Sequence, residues 1–185
     1  RIKEVVHGSE MFGLISDDGS FRAIKSNGRT IRNVRPSSVA DKVIGASMTK
    51  AAYVFLKGDG YAKSGGRDIS GGQLDKSGET ISGSDMSELM GGSVVDIVST
   101  DNAFVAVLDG FFAGVPTIKG DNSNLWGWQK DAWGGGVVDI EGDFDQLWTN
   151  RFAVVGRRGD GSVEAWGHKG FGGHLSEADV VRIED

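Results

Sequence analysis

The sequence predicts an all-β repeat fold: about four degenerate copies of one strand-and-hairpin unit, forming a single domain over residues 1–185. Two observations carry that expectation. A β-branched run, a polar break, an aromatic-led apolar run and an Asp-Gly pair recur in the same order along the chain. Glycine is abundant, with 30 residues against two prolines and no collagen-like period, which points to many tight turns.

The unit is clearest in VVDIVSTDNAFVAVLDG, Val94 to Gly110. Its first element, Val94 to Val98, and its second, Phe104 to Leu108, have strand length and strand composition. Both are nearly continuous in apolar character, as strands covered on two faces are. The Asp-Gly pair then supplies a hairpin, since glycine accepts the positive φ of a tight turn. A third strand follows, best seen as Ser162 to Trp166, where Val163 and Ala165 alternate with polar neighbours.

Placed in register, the copies start at Ile2, Val43, Val94 and Val137. Their equivalent aromatics are Phe12, Tyr53, Phe104 and Phe152. The turn glycines are Gly19, Gly60, Gly110 and Gly161, each preceded by aspartate. Repeat units of approximately 2–42, 43–93, 94–136 and 137–179 result, and VVRIED from Val180 reads as a closing strand or the opening of a fifth copy. Glycine-rich bends end three units, at Ile69–Gly72, Trp133–Gly136 and Phe171–His174; the first unit lacks one and carries Ile31 and Val34 amid arginines. Short helices are expected only at Ser84 to Met90 and Ser176 to Val180, each opened by a capping serine.

The fourth copy, with Phe152-Ala153-Val154-Val155, Asp160-Gly161-Ser162-Val163, Trp166-Gly167 and Gly172-Gly173, resembles the repeats of the regulator of chromosome condensation family in their divergent bacterial form. The third copy keeps Asp109-Gly110 and places Trp126-Gly127 and Trp128 near the family's Trp-Gly. The second has Ser64-Gly65 there, and the first Ile24-Lys25. The resemblance implies a β-propeller-like fold of small antiparallel sheets; another closed or stacked β-repeat fold is the alternative. The founding member of the family has seven blades, against about four copies here. Its nucleotide-exchange and chromatin activities do not carry over, because nothing in this chain matches its functional surfaces.

Composition excludes several functions. The formal net charge of −6 argues against nucleic acid, whose phosphates need a basic face. Arg22, Lys25, Arg29, Arg32 and Arg35 are the only charges between Ser20 and Ala40, while Ser77 to Ile118 holds only acidic ones, which reads as two solvated faces of opposite sign or as a contact between copies. With no cysteine, disulfides, thiolate metal sites and cysteine nucleophiles are out. No apolar run approaches the roughly 20 residues that span a bilayer. The start at Arg1, without methionine or signal peptide, suggests a piece of a longer or processed protein.

Searches for chemistry return turns. His168 and His174 lack a third ligand at metal spacing. Asp121 to Asn124 and Asp143 to Asp145 lack a complete calcium loop. No serine sits in a nucleophile elbow, and Gly65-Gly66 and Gly71-Gly72 lack the lysine of a phosphate loop. Arg158-Gly159-Asp160 replaces Lys57-Gly58-Asp59 at the same hairpin, so it reads as turn chemistry. No enzyme activity, metal or cofactor is expected.

All five tryptophans fall in the last third of the chain. Trp128 and Trp166 sit at the strand-end position of their copies and read as structural. Trp126 and Trp148 lie in segments longer than the repeat requires and are the candidate ligand contacts, able to stack on a sugar or anchor a protein. The expected function is a non-catalytic binding or interaction module of a larger bacterial surface or secreted protein, with a protein or glycan ligand; a cytoplasmic setting is also compatible. A lectin-like domain and a structural, self-assembling repeat are the alternatives.

Overall fold

The computed structural model describes residues 1–67, 94–101, 103–108, 125–128 and 144–176. Its strands form four antiparallel sheets among these residues, each a meander in chain order. The first sheet comprises β1 (Ile2–His7), β2 (Met11–Ser16), β3 (Phe21–Lys25) and β4 (Thr30–Val34). The second is β5 (Val43–Met48), β6 (Ala52–Lys57) and β7 (Ala62–Gly66). The third is β8 (Val94–Ser99), β9 (Phe104–Leu108) and β10 (Leu125–Trp128), and the fourth β11 (Phe144–Thr149), β12 (Ala153–Arg158) and β13 (Val163–Gly167). Each sheet touches the next in sequence. The all-β, propeller-like architecture expected from the sequence is the one observed.

Each opening strand breaks its ladder at the same place, after Ile2, Val43, Val94 and Phe144. One extra residue there strengthens the local twist. This shared irregularity aligns the copies without reference to side chains, and it changes the fourth. Val137 lies outside the described residues, and the strand that pairs with β12 as β5 pairs with β6 begins at Phe144. The aromatic register changes with it. Asn150 N–H donates to the Ala153 carbonyl as Thr49 does to Ala52 and Thr100 to Ala103. The residue in register with Tyr53 and Phe104 is therefore Val154, while Phe152 occupies the preceding turn. In the first copy, the stretch with Ile31 and Val34 is a fourth strand, β4, instead of a vanished bend. The expected helices at 84–90 and 176–180, the bends at 69–72 and 133–136, Gly110 and the strand from Val180 fall on residues that are outside the described ones, Ser176 excepted.

The second strand of a sheet joins the third through one recurrent turn. Ser16, Lys57 and Arg158 each receive at their carbonyl the N–H of Gly19, Gly60 and Gly161. These glycines hold φ of 82, 83 and 90°, a region closed to most side-chain-bearing residues. The aspartate just before each caps the turn, Asp18 Oδ1 accepting from Ser20, Asp59 Oδ1 from Tyr61 and Asp160 Oδ1 from Ser162. The loop is thus a three-residue hairpin closed by a left-handed glycine. Asn27 and Gly28 build the same turn between β3 and β4.

Packing follows the alternation of strand side chains. Each sheet has a leading face toward the sheet before it and a trailing face toward the sheet after it. On the trailing face of the first sheet, Met11, Ile15, Phe21 and Ala23 meet Val43, Met48, Tyr53 and Phe55 of the second. Phe21 lies 5.7 Å from the Tyr53 ring and 5.1 Å from Phe55. Val105 and Val107 of the third sheet likewise meet Phe144, Leu147, Val154 and Trp166 of the fourth. Each large side chain buried this way contributes about 1.5–3 kcal/mol. The core is therefore a set of layers between sheets.

Backbone hydrogen bonds tie the layers at both ends. At the outer turns, Val43 N–H donates to Gly19 and Val94 N–H to Gly60, at 3.0 and 3.1 Å. At the opposite end of the opening strands, Lys50 N–H donates to Asp101 and Asp101 N–H to Arg151, at 2.8 and 2.9 Å.

Candidate functional site

The turns that follow the four opening strands converge at one end of the stack. They surround an open cavity of about 390 Å³, lined by His7 to Ser9, Met48, Ser99 to Asp101 and Thr149 to Arg151. All four sheets contribute, so the cavity exists only because the sheets are stacked.

Its floor is polar and tightly bonded. Ser47 Oγ donates to Ser99 Oγ at 2.8 Å, and Ser99 Oγ to the Met48 carbonyl at 2.9 Å. At the lip, Arg151 reaches back from the fourth sheet to Asp101 of the third. Its Nε and Nη2 both donate to Asp101 Oδ2, at 3.0 and 2.8 Å. The carboxylate is nearly buried while the guanidinium stays largely exposed, so the arginine is held by one edge and offers the other to solvent. Lys50 and Glu10 form a second, exposed pair between the first two sheets, at 3.3 Å.

An aromatic shelf adjoins this lip. The Arg151 guanidinium lies over the Phe152 ring, 5.2 Å from its centroid. Phe152 packs against Phe171 at 4.3 Å, and His168 meets the Phe171 ring edge-on at 4.9 Å. A single 3-10 turn, Lys169–Phe171, carries Phe171 to this place and ends at Gly172, whose φ of 89° reverses the chain. Asn150 Nδ2 donates to the Phe171 carbonyl at 2.8 Å and Gly173 N–H to that of His168 at 3.1 Å, fixing the shelf beside the cavity where the four sheets converge, the hub of the stack. Phe171 nonetheless remains half exposed.

The residues singled out from the sequence fall elsewhere. Trp126 and Trp128 belong to β10, their backbones paired with Ala106 and Phe104. Trp148 is an exposed residue of β11 paired with Val155. Trp126 and Trp148 are thus in different sheets, one in a third strand and one in an opening strand. Trp166 is buried edge-on against Phe144, at 5.7 Å, and its backbone pairs with Val154 as that of Trp128 pairs with Phe104. Tyr53 and Phe104 are buried, whereas Phe12 is exposed. Sequence reading passed over Asp101 and Arg151 because they lie in the polar break. Aligning that break across copies puts Ser9, Lys50, Asp101 and Arg151 at one position, and that alignment would have flagged them.

Chemically the arrangement favours recognition. A largely exposed guanidinium, a nearly buried counter-charge and a half-exposed ring can form an anchor for a polar and aromatic surface. His168 Nδ1 accepts from Gly170 N–H at 3.2 Å. Among the described residues, no three metal-capable side chains come together, and no helix is long and apolar enough to cross a membrane.

Four small antiparallel sheets packed in chain order form a propeller-like fold, and solved structures share the arrangement. Human WBSCR16 superposes with a TM-score of 0.62 at 11% identity, over 94% of this chain and 49% of its own. Prp20p of Saccharomyces cerevisiae, characterised for its binding to Gsp1p and histones, gives 0.58 at 12% over 90% of this chain and 43% of its own. Yeast RCC1 (Prp20) bound to Kap60 gives 0.57 at 13%, over 90% and 42%. The chain therefore spans less than half the length of each. No protein-family model matches it, and no curated protein does.

Proposed function

We propose that this chain is a non-catalytic protein-binding module that engages its partner at the hub mouth through Arg151, Phe152 and Phe171. The observation that carries this reading is the pairing of the Arg151–Asp101 ion pair with the half-exposed Phe171 shelf at the point where all four sheets converge. Arginine and aromatic side chains supply most of the energy in protein interfaces when they sit beside a dry, pre-organised support. The partners named for the structural neighbours, Gsp1p, histones and Kap60, are proteins, which favours a protein ligand over a glycan.

The test is selection of binders from a displayed random-peptide library on the 185-residue chain, followed by measurement on variants. Peptides selected on the wild type should lose on the order of tenfold or more in affinity with Arg151→Ala and with Phe171→Ala. A selected set indifferent to both substitutions would remove the hub mouth as the binding surface. A glycan array on the same protein decides the carbohydrate alternative: binding that disappears with Trp148→Ala would favour it over the protein reading.

A further inference from the structure

The joint between the first two sheets is built differently from the joint between the last two. Ladder register sets Gly65 opposite Tyr53 as it sets Trp166 opposite Val154. In the fourth sheet that tryptophan is buried in the layer, edge-on to Phe144. In the second sheet the same position carries no side chain, and Tyr53 reaches across it, so that a Cβ on Gly65 would collide with Tyr53 Oη. Beside it lies an open cavity of about 310 Å³ between the sheets. Met11, Lys25 and Ile31 of the first sheet line it, with Tyr53, Gly66 and the adjacent Arg67 from the second. None of these residues lines the hub mouth, so the two sites are separate.

The lining has the chemistry of an anion site. Tyr53 is only 6% exposed, yet among the described residues its hydroxyl has no hydrogen-bond partner. Buried polar groups are nearly always paired, and this one is free to donate to a group held in the cavity. Burial pushes the Tyr53 hydroxyl up, with the Arg32 charge acting the other way, so it keeps its proton at neutral pH. Lys25 and Arg67 are exposed and, among the described residues, form no ion pair. The Glu10 carboxylate at the same cavity is matched by Lys50 at 3.3 Å, which leaves the two cations unopposed. Met11 is buried and Ile31 partly so, and they supply an apolar wall.

We propose that this cavity binds a small organic acid. Its carboxylate pairs with Lys25 and Arg67 and accepts from the Tyr53 hydroxyl, while its apolar stem lies against Met11 and Ile31. Charged hydrogen bonds of this kind are the strong ones. The volume stands at the lower end of ligand pockets, which run from about 300 to 1,000 Å³, and so suits a small acid.

Titration of benzoate and of hexanoate into the 185-residue chain, followed by backbone amide NMR, tests it. At least one acid should give saturable shifts at Gly65, Gly66 and Arg67, with a millimolar or tighter dissociation constant. Acetate and inorganic phosphate, which lack the stem, and benzyl alcohol, which lacks the charge, should each bind on the order of tenfold more weakly. Lys25→Gln and Arg67→Gln should each weaken the acid on the order of tenfold. Tyr53→Phe should weaken it several-fold without lowering Tm, because the hydroxyl it removes has no partner in the protein; a merely structural hydroxyl would do the reverse. Tyr53→Val combined with Gly65→Trp rebuilds the joint with the residues of the fourth sheet and should abolish binding; the single variants stand as the test if that pair fails to fold. The proposal is overturned if neither acid saturates below ~20 mM, or if phosphate binds as tightly as the acids. Binding that ignores Lys25→Gln, Arg67→Gln and Tyr53→Phe overturns it as well.

Discussion

The hairpin glycines show how little freedom single positions have. A side chain at Gly161 would meet no atom within 4 Å, yet φ is 90° there. Gly161→Ala should therefore cost about 1–2 kcal/mol from backbone strain alone, read as a lowered midpoint in urea unfolding. Gly19→Ala adds a collision, with a new Cβ 2.5 Å from Lys42 Cγ, and should cost more. Gly159→Ala, in open space with no such φ, should be nearly neutral. A second residue-scale device is ionic. Lys57 Nζ sits 2.8 Å from Asp41 and 3.0 Å from Asp59, and with the Ser37 and Ser38 hydroxyls it holds the Asp41 carboxyl well below the usual carboxylate range. Asp41 in turn raises the Lys57 ammonium. A depressed folded-state value means the stabilisation is present above the ordinary aspartate value, near 4, and is lost as pH falls through the folded one. Asp41→Asn should therefore lower Tm at pH 6, and the gap to wild type should close as the acid end is approached, in a thermal scan at several pH values.

At the scale of elements, the strands were legible because their signal is local. β8, β9 and β13 are runs such as Val94 to Val98 and Val163 to Trp166, and the Asp-Gly turns at Gly60 and Gly161 fix where β6 and β12 end. What was not legible is register across a long insertion. VVDI at Val137 matches VVDI at Val94 in letters, but β11 is FDQLWT, whose only apolar core residues are Phe144 and Leu147. Pairing with β12 selects that strand because Phe144 and Leu147 are the residues that fill the layer against Val105 and Val107. The polar break hid the hub for a related reason, since its residues acquire meaning only when four turns meet. The layer itself should be sensitive. Trp166→Ala leaves a cavity beside Phe144 and should cost about 3–5 kcal/mol, with loss of amide-exchange protection concentrated in the third and fourth sheets. Gly156→Ala should also destabilise, by about 1–3 kcal/mol, because a Cβ would stand 2.4 Å from the Phe144 ring and 3.0 Å from Leu147.

For the whole molecule, the layered packing of neighbouring sheets predicts a stability close to a sum over sheets and the layers between them. Phe21→Ala, which empties the first layer, should lower exchange protection in the first and second sheets while the fourth sheet keeps its own. An equal loss everywhere would show a single cooperative unit instead. The joints between sheets also rest on main-chain atoms, Val43 to Gly19 and Val94 to Gly60 at one end, Lys50 to Asp101 and Asp101 to Arg151 at the other. Main-chain donors and acceptors survive almost any substitution, so these joints place little demand on side-chain identity. They are also polar in sense: the donor belongs to the later sheet at the outer end and to the earlier sheet at the hub. A unit therefore has a direction: it joins its neighbours through these bonds only when it enters the stack in the same sense as they do.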